Sequence, residues 1–342
     1  MEAVFIRGVR DVVLGDHPEP RPADDQMLIE VAAIGICGSD LHYYLEGAIG
    51  DQQVEQGFVP GHEFAGRIID PRAEAFGFSI GDLVAVDPAN PCGDCEWCHR
   101  GHHNLCPRTV MTGAPPHSGA MTRYITARPA NLFPVPEGFD ATTAAMLEPL
   151  GVAIHAVDLA RPKLWESCCV VGAGSIGLLL TQVARRAGVG EIYVVEPVAE
   201  RRRLAAQFGG DHLLADIEEL DEITNGRGAD LVLEATDQSG GLELAARAAR
   251  IGGRCVVGGI PEGNRYQLDA ALVRRKGLSV KFSRRMGDVY PRAIAMVHKG
   301  LVDVGTIASH HFSLDQAAEA FERQAERSDG VVKSILHPHD GD

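Results

Sequence analysis

The chain has no excess of positive charge. Against 47 Asp and Glu it sets 32 Lys and Arg over 342 residues, a net charge of −15. Nucleic acid and anionic membrane surfaces both demand a basic face, so neither is an expected partner. No run approaches ~18 uncharged apolar residues, which argues against an ordinary membrane-spanning helix. The opening residues, Met1-Glu-Ala-Val-Phe-Ile-Arg, lack the basic stretch and apolar core of a secretory leader. Internal repeats and low-complexity tracts are missing as well. Cysteine is scarce at eight residues, yet four of them fall at 92, 95, 98 and 106. Such crowding suits a metal rather than disulfides, and a cytoplasmic, reducing compartment is expected.

What remains is an ordinary globular composition, 45% apolar and 23% charged. The length exceeds what one core usually supports, so two domains are expected. Residues 1 to about 150 hold short β-like runs separated by Gly- and Pro-rich loops, which reads as a mainly-β domain carrying functional loops. From Arg161 the pattern becomes α/β. Cys168-Cys-Val-Val reads as a buried strand and Ser175 to Ala187 as an amphipathic helix. Strand Ile192-Tyr-Val-Val, helix Ala199 to Phe208, strand Leu231-Val-Leu, helix Gly241 to Arg250 and strand Arg254-Cys-Val-Val follow, and Leu278 to Phe282 closes the series. That alternation predicts a doubly wound parallel sheet with helices on both faces. Helices are then expected at Tyr290 to Lys299 and Leu314 to Arg327, the second opened by a Ser313/Gln316 capping box. A last strand, Val331 to Leu336, has no βαβ partner and is expected to return to the first domain.

Gly172-Ala-Gly174-Ser175-Ile176-Gly177 matches G-x-G-x-x-G between an apolar strand and a helix. Gly172 permits the tight turn, Gly174 lets a pyrophosphate approach the backbone, and Gly177 lets helix and strand pack closely. The helix N-terminus offers N–H groups and a positive dipole end to the phosphates. Glu196 ends the next strand, where its carboxylate can accept from both adenosine ribose hydroxyls and would repel a 2′-phosphate. NAD is therefore expected over NADP. The competing feature is Arg201-Arg202-Arg203, of which Arg202 and Arg203 read as a solvated helix face.

Cys92-x2-Cys95-x2-Cys98-x7-Cys106 is the strongest metal signal. Four thiolates close a tetrahedral zinc shell, which makes the site structural, in a lobe of about residues 88–110. A second, dispersed set comprises Cys37-Gly-Ser39-Asp40-Leu-His42, Gly61-His62-Glu63 and Glu148-Pro. Cys37, His62 and Glu148 would supply a thiolate, an imidazole and a carboxylate and leave a fourth position open, as a catalytic zinc needs. Asp40 is expected to hold the far nitrogen of His62.

Together these stretches resemble the zinc-containing medium-chain dehydrogenases over essentially the whole chain. Cys37-Gly-Ser-Asp-Leu-His-Tyr-Tyr, Gly61-His-Glu and Glu148-Pro-Leu-Gly-Val-Ala-Ile-His are similar to the polyol branch, which includes sorbitol, xylitol and L-idonate dehydrogenases. The resemblance implies a split, GroES-like catalytic domain (1–153, with 290–342 returning to it) and a Rossmann domain (154–289). It implies that Cys37 and His62 bind the catalytic zinc, with Glu63 and Glu148 sharing the remaining role, one as ligand and one within a water of the ion. Two zinc ions per chain and NAD are the implied cofactors. Glu196 and Arg201 match positions that hold the adenosine, and Ser175, Ile176, Thr236 and Gly258 complete the expected cofactor contacts. The family's homo-oligomers favour a tetramer over a dimer. One departure is visible: His117-Ser-Gly-Ala-Met-Thr-Arg-Tyr124 replaces an Asp-Gly-Gly-Phe-like stretch at the wall of the substrate pocket.

The implied reaction moves hydride from a secondary alcohol of a polyol to NAD+, giving a ketose. The proton would leave through Ser39, the cofactor ribose and His42, or through a water held by Glu148. Tyr43, Tyr44 and Arg284 are candidates for substrate hydroxyls. His155, Cys168, Cys169 and Cys255 read as packing, and His310 and His311 have no role in this scheme. Two other readings stay open: a dehydrogenase of L-threonine, a vicinal diol or a simple secondary alcohol, and a non-catalytic NAD-binding zinc protein.

Overall fold

A computed structural model describes residues 1–339, so the last three residues of the 290–342 segment lie outside it. The chain forms two units. One comprises Met1–Glu148, Tyr290–His298 and the residues from Val304 onward, and the other Pro149–Val289 with Lys299–Asp303.

In the first unit, the strand Met27–Gly35 buries alternate residues, so Met27, Ile29, Val31 and Ala33 share the inward face. Antiparallel pairing with Glu63–Ile68 sets Gly35 opposite Glu63 and Ile29 opposite Ile68. On its other side lies Ser334–His337, with Ile335 opposite Gly35. The full order is Leu132–Pro134, Leu83–Val86, Glu63–Ile68, Met27–Gly35, Ser334–His337 and His310–Ser313, with Tyr124–Ala127 also paired to Met27–Gly35. Ile29, Val31, Phe64, Ile68, Val84, Phe321 and Leu336 belong to one core. Each such side chain stabilises the fold by roughly 1.5–3 kcal/mol through burial alone. The register sends the ends of three strands to one place: Cys37 follows Met27–Gly35, His62 precedes Glu63–Ile68, and Lys333 precedes Ser334–His337.

The second unit is built on six parallel strands in the order His212–Leu214, Glu191–Val195, Ser167–Val171, Ala229–Glu234, Ala249–Val257, Ser279–Phe282. In chain order this is 3-2-1-4-5-6, the doubly wound arrangement whose strand order reverses beside the first strand. Helix Ser175–Arg186 buries Leu178, Leu179, Leu180, Val183 and Ala184. The GroES-like and Rossmann architecture is thus present in full.

Several local features depart from the sequence reading. Gly38–Glu46, in a region read as loop, is a helix. Ile217–Ile223 and Ala270–Lys276 are further helices, each opened by an aspartate N-cap, Asp216 and Asp269. Gly241–Ala248 stops two residues early because Ala249 already enters the next strand. The division between units falls at Glu148, inside the helix Leu147–Ala160, rather than at 153. Lys299–Asp303 joins the second unit for a visible reason. Gln182 exchanges two hydrogen bonds with the Asp303 backbone, both 2.8 Å, and Arg186 donates to the Leu301 carbonyl at 2.8 Å. The helical stretch Ala141–Ala160 is long and apolar enough to cross a membrane. With 72% of it buried inside the protein, however, it has the character of a core helix.

Candidate active site and metal centres

The closely paired strand ends bring Cys37, His62 and Glu63 together with their ligand atoms all within 4.8 Å of one another. Gly35 makes this possible, because a Cβ there would overlap the Glu63 carboxylate. Asp40, fully buried, organises the backbone around the cluster. One oxygen accepts from the Cys37 N–H at 2.9 Å and the other from the Gly61 N–H at 3.2 Å. Its distance to His62 Nδ1 is 3.8 Å, beyond a hydrogen bond, so it acts on His62 as a charge and not as the expected direct partner. Glu148, the second residue of the helix Leu147–Ala160, interacts with His62, Glu63 and Cys37 but stands outside the 4.8 Å group.

Lys333 is the residue the sequence reading missed. Only 1% exposed, it forms an ion pair with Glu63 and donates to the Ile36 carbonyl at 3.0 Å. A lone lysine in an apolar strand carries no motif, and its sole signal was being the one charge in Val331-Val-Lys-Ser-Ile-Leu. Burial would lower its ammonium, but Glu63, Cys37 and Glu148 offset this and hold it above the ordinary lysine value. Burial, and then the neighbouring Glu63, pushes the Cys37 thiol up to about 12. Burial likewise raises Glu148 well above the usual carboxylate range. Four acidic groups, Cys37, Asp40, Glu63 and Glu148, thus crowd one buried place with only His62 and Lys333 against them. A divalent cation answers that imbalance, since buried charges must be paired or coordinated. The donor set of thiolate, imidazole and carboxylate fits zinc.

His42, on the same helix as Asp40, is 8% exposed, and its Nδ1 lies 2.5 Å from Glu46 Oε1. Ser39 is half-buried and hydrogen-bonds the Cys37 thiol. Tyr43 packs edge-on against Phe58 and bonds Gln52 at 3.5 Å, while the Tyr44 hydroxyl is taken by Glu322. Tyr44 is therefore committed to packing rather than to a substrate. Arg284 is exposed in the second unit.

Cys92, Cys95, Cys98 and Cys106 form the second metal group, with sulfur separations of 3.5 Å (95 to 98 and 92 to 106) and 4.0 Å (92 to 98). Thiolates about 2.3 Å from a tetrahedral zinc stand ~3.8 Å apart, so the set is dimensioned for zinc, and none of the four is in a disulfide. The Cys92 N–H reaches the Cys106 sulfur at 3.4 Å and holds that thiol down to about 6. The two-stranded ribbon of Ala89–Asn90 and Val110–Met111 closes the lobe.

In the second unit, the glycine turn has the form a pyrophosphate needs. Gly172 has φ +94°, and a Cβ there would come within 2.8 Å of the Ala235 carbonyl. One at Gly177 would overlap the Gly172 carbonyl, whereas Gly174 faces open space at the head of Ser175–Arg186. Glu196 accepts from the Ala173 N–H at 2.8 Å and the Val198 N–H at 2.9 Å, which ties the acidic residue to the turn. Arg202 is turned inward onto the Glu196 and Pro197 carbonyls rather than lying solvated. Thr236 and Gly258 are both tied to Glu234, a buried residue the sequence reading passed over. Its carboxylate accepts from the Thr236 N–H and hydroxyl at 2.7 and 2.6 Å and from the Gly259 N–H at 3.1 Å, and its carbonyl from the Gly258 N–H. Its signal was an acid at the end of an otherwise apolar strand.

Comparison with known proteins agrees with this architecture. The alcohol dehydrogenase GroES-like domain family matches residues 23–137, and the zinc-binding dehydrogenase family matches 175–299. A Bacillus subtilis sorbitol dehydrogenase is 33% identical over 99% of this chain and 98% of its own. The chain belongs to the zinc-containing medium-chain alcohol dehydrogenases and is a zinc-dependent oxidoreductase using a nicotinamide dinucleotide. Among solved structures, L-idonate 5-dehydrogenase from Escherichia coli K-12 superposes with a TM-score of 0.89 at 25% identity, covering 98% of this chain and 97% of that one. An alcohol dehydrogenase of Escherichia coli CFT073, complexed with NADH, has a TM-score of 0.88 at 26% identity over 98% and 99%. Within the family, these likenesses place the chain in the polyol dehydrogenase branch.

Proposed function

We propose that this protein oxidises a secondary alcohol of a polyol to the ketose, with NAD+ as hydride acceptor, at the Cys37, His62 and Glu63 centre. The observation that carries the reading is that buried cluster itself, together with full-length likeness to a sorbitol dehydrogenase. Cys37, His62 and Glu63 would hold the catalytic zinc, Glu148 would act on it through water, and the four lobe cysteines would hold a structural zinc. When bound, the catalytic ion acts as a Lewis acid that acidifies the substrate alcohol.

The chain's own residues supply the rest. Gly35 and Asp40 fix the backbone that presents Cys37, and Lys333 holds Glu63. The Glu46 carboxylate accepts from His42 Nδ1–H, which makes Nε2 the nitrogen that receives the departing proton. Ser39 would take the substrate proton first, and His42 would receive it last. The glycine turn and the N-terminus of Ser175–Arg186 bind the pyrophosphate. The acid at Glu196 and the inward turn of Arg202 favour NAD over NADP. Tyr43, whose hydroxyl is shared with Gln52, and the exposed Arg284 are the candidates for substrate hydroxyls.

A homo-oligomer is supported by the outer edge of Ser279–Phe282, which has no further strand beside it among the described residues, and the family resemblance favours a tetramer. There Phe282 is 55% exposed and lies against Tyr266. All eight cysteines are free, which supports a reducing, cytoplasmic compartment. The test is NAD+ reduction across sorbitol, xylitol, L-idonate, L-threonine, vicinal diols and simple alcohols. Turnover of sorbitol, xylitol or L-idonate above the others is expected. Turnover confined to threonine, diols or simple alcohols would displace the polyol assignment, and no turnover with NAD+ or NADP+ would restore the non-catalytic reading.

A further inference from the structure

The outer edge of the first unit's sheet carries histidines that the reaction does not use. His311 lies on the edge strand His310–Ser313, and His337 ends its parallel neighbour Ser334–His337. The register sets His311 opposite Ile335, so His337 stands two positions further along and shares its face. The two rings stack with centroids 5.3 Å apart and an angle of 23° between planes. His311 Nδ1 is 3.0 Å from His337 Nε2. His337 Nδ1 is in turn 3.3 Å from the Ala32 carbonyl, which can only accept. His337 therefore keeps its proton on Nδ1 and offers a bare lone pair at Nε2. A backbone carbonyl on the far ring nitrogen is the arrangement that orients histidine metal ligands. Two nitrogens 3.0 Å apart, each about 2.05 Å from a common ion, subtend ~94° at it, the angle of adjacent ligands. Burial keeps His337 neutral at physiological pH, and the Asp140 carboxylate adds a favourable potential for a cation. His311 is exposed, so water can fill the remaining positions.

We infer that His311 and His337 form a two-imidazole chelate for a divalent transition-metal ion, of the Ni2+, Cu2+ or Zn2+ class, separate from both cysteine-containing centres. Binding moves the His311 proton from Nδ1 to Nε2 and exchanges the inter-ring hydrogen bond for two nitrogen–metal bonds. The ion would clamp the sheet's edge strand to its neighbour and stabilise the fold by mass action.

The experiment is calorimetric titration of zinc-loaded, desalted full-length protein with Ni2+ at neutral pH, an ion suited to imidazole donors. Wild type and His310→Ala are expected to take up one Ni2+ per chain, and His311→Ala and His337→Ala to bind it at least about tenfold more weakly. His310 is the control because its ring nitrogens meet Ser309 and Asp329 instead. Zinc content should be the same in all four proteins. Equal Ni2+ uptake by wild type and His311→Ala, or no uptake by wild type, overturns the assignment. Should His337→Ala fail to fold, the exposed His311→Ala decides alone.

Discussion

Replacing Lys333 by methionine tests how the catalytic cluster is balanced. The substitution keeps the volume and removes the charge that faces Glu63 in a place where both residues are 1% exposed. Removing one partner of a buried pair costs about 3–5 kcal/mol, because the other charge stays behind unpaired. The Ile36 carbonyl is not orphaned, since Gln324 also donates to it at 2.7 Å, so the loss is mainly electrostatic. At roughly 2–4 °C per kcal/mol for a unit of this size, metal-free Lys333→Met should melt about 6–20 °C below wild type. A bound zinc supplies the missing positive charge, so the zinc-loaded variant should lose less. By linkage, the difference between the two losses must reappear as tighter zinc binding in the variant. Scanning calorimetry of metal-free and loaded protein, with chelator competition for zinc, measures all three quantities. Adding Glu63→Gln should restore part of the stability as a double-mutant cycle. Melting within about 2 °C of wild type in both states, or weaker zinc binding, would refute the pair as drawn.

Three further outcomes follow from particular contacts. Cys98→Ser should lower the zinc content from two ions per chain to one and the Tm by on the order of 10 °C, as read by elemental analysis and calorimetry. Glu196→Gln should weaken NAD+ binding by roughly tenfold and narrow the preference over NADP+, checked by fluorescence titration of both cofactors. Asp70 is held down to about 2, chiefly by Arg72, with backbone N–H bonds from Leu28 and Arg72 adding to it. A lowered pKa stabilises the fold above the ordinary carboxylate value of 3.8, and that contribution is lost as pH falls towards 2. Asp70→Asn should therefore cost about 1–3 kcal/mol at neutral pH, with the Tm gap to wild type closing below about pH 4.

Much of this was legible because periodicity and spacing are local properties. The apolar strand, glycine turn and amphipathic helix from Cys168 to Arg186 announce themselves within twenty residues, and so does the cysteine lobe. What escaped depended on long-range pairing. Lys333 acquires its meaning only when Ser334–His337 returns beside Met27–Gly35, some 300 positions earlier in the chain. Glu234 matters through turns that follow two different strands, and nothing in its neighbourhood says which groups it will tie. Tyr44 shares a stretch with His42, but its hydroxyl meets Glu322, 278 positions further along the chain. The placing of Glu63 beside Cys37 and His62 is illegible for the same reason: only the pairing of Gly35 with Glu63 sets those distances.

The most direct test of the account is the zinc content and polyol-oxidation rate of Cys37→Ser beside wild type, with NADH binding measured on the same samples. The account predicts one zinc per chain instead of two, a rate lower by at least about a hundredfold, and unchanged NADH affinity. A variant that keeps wild-type turnover with only its lobe zinc would contradict it.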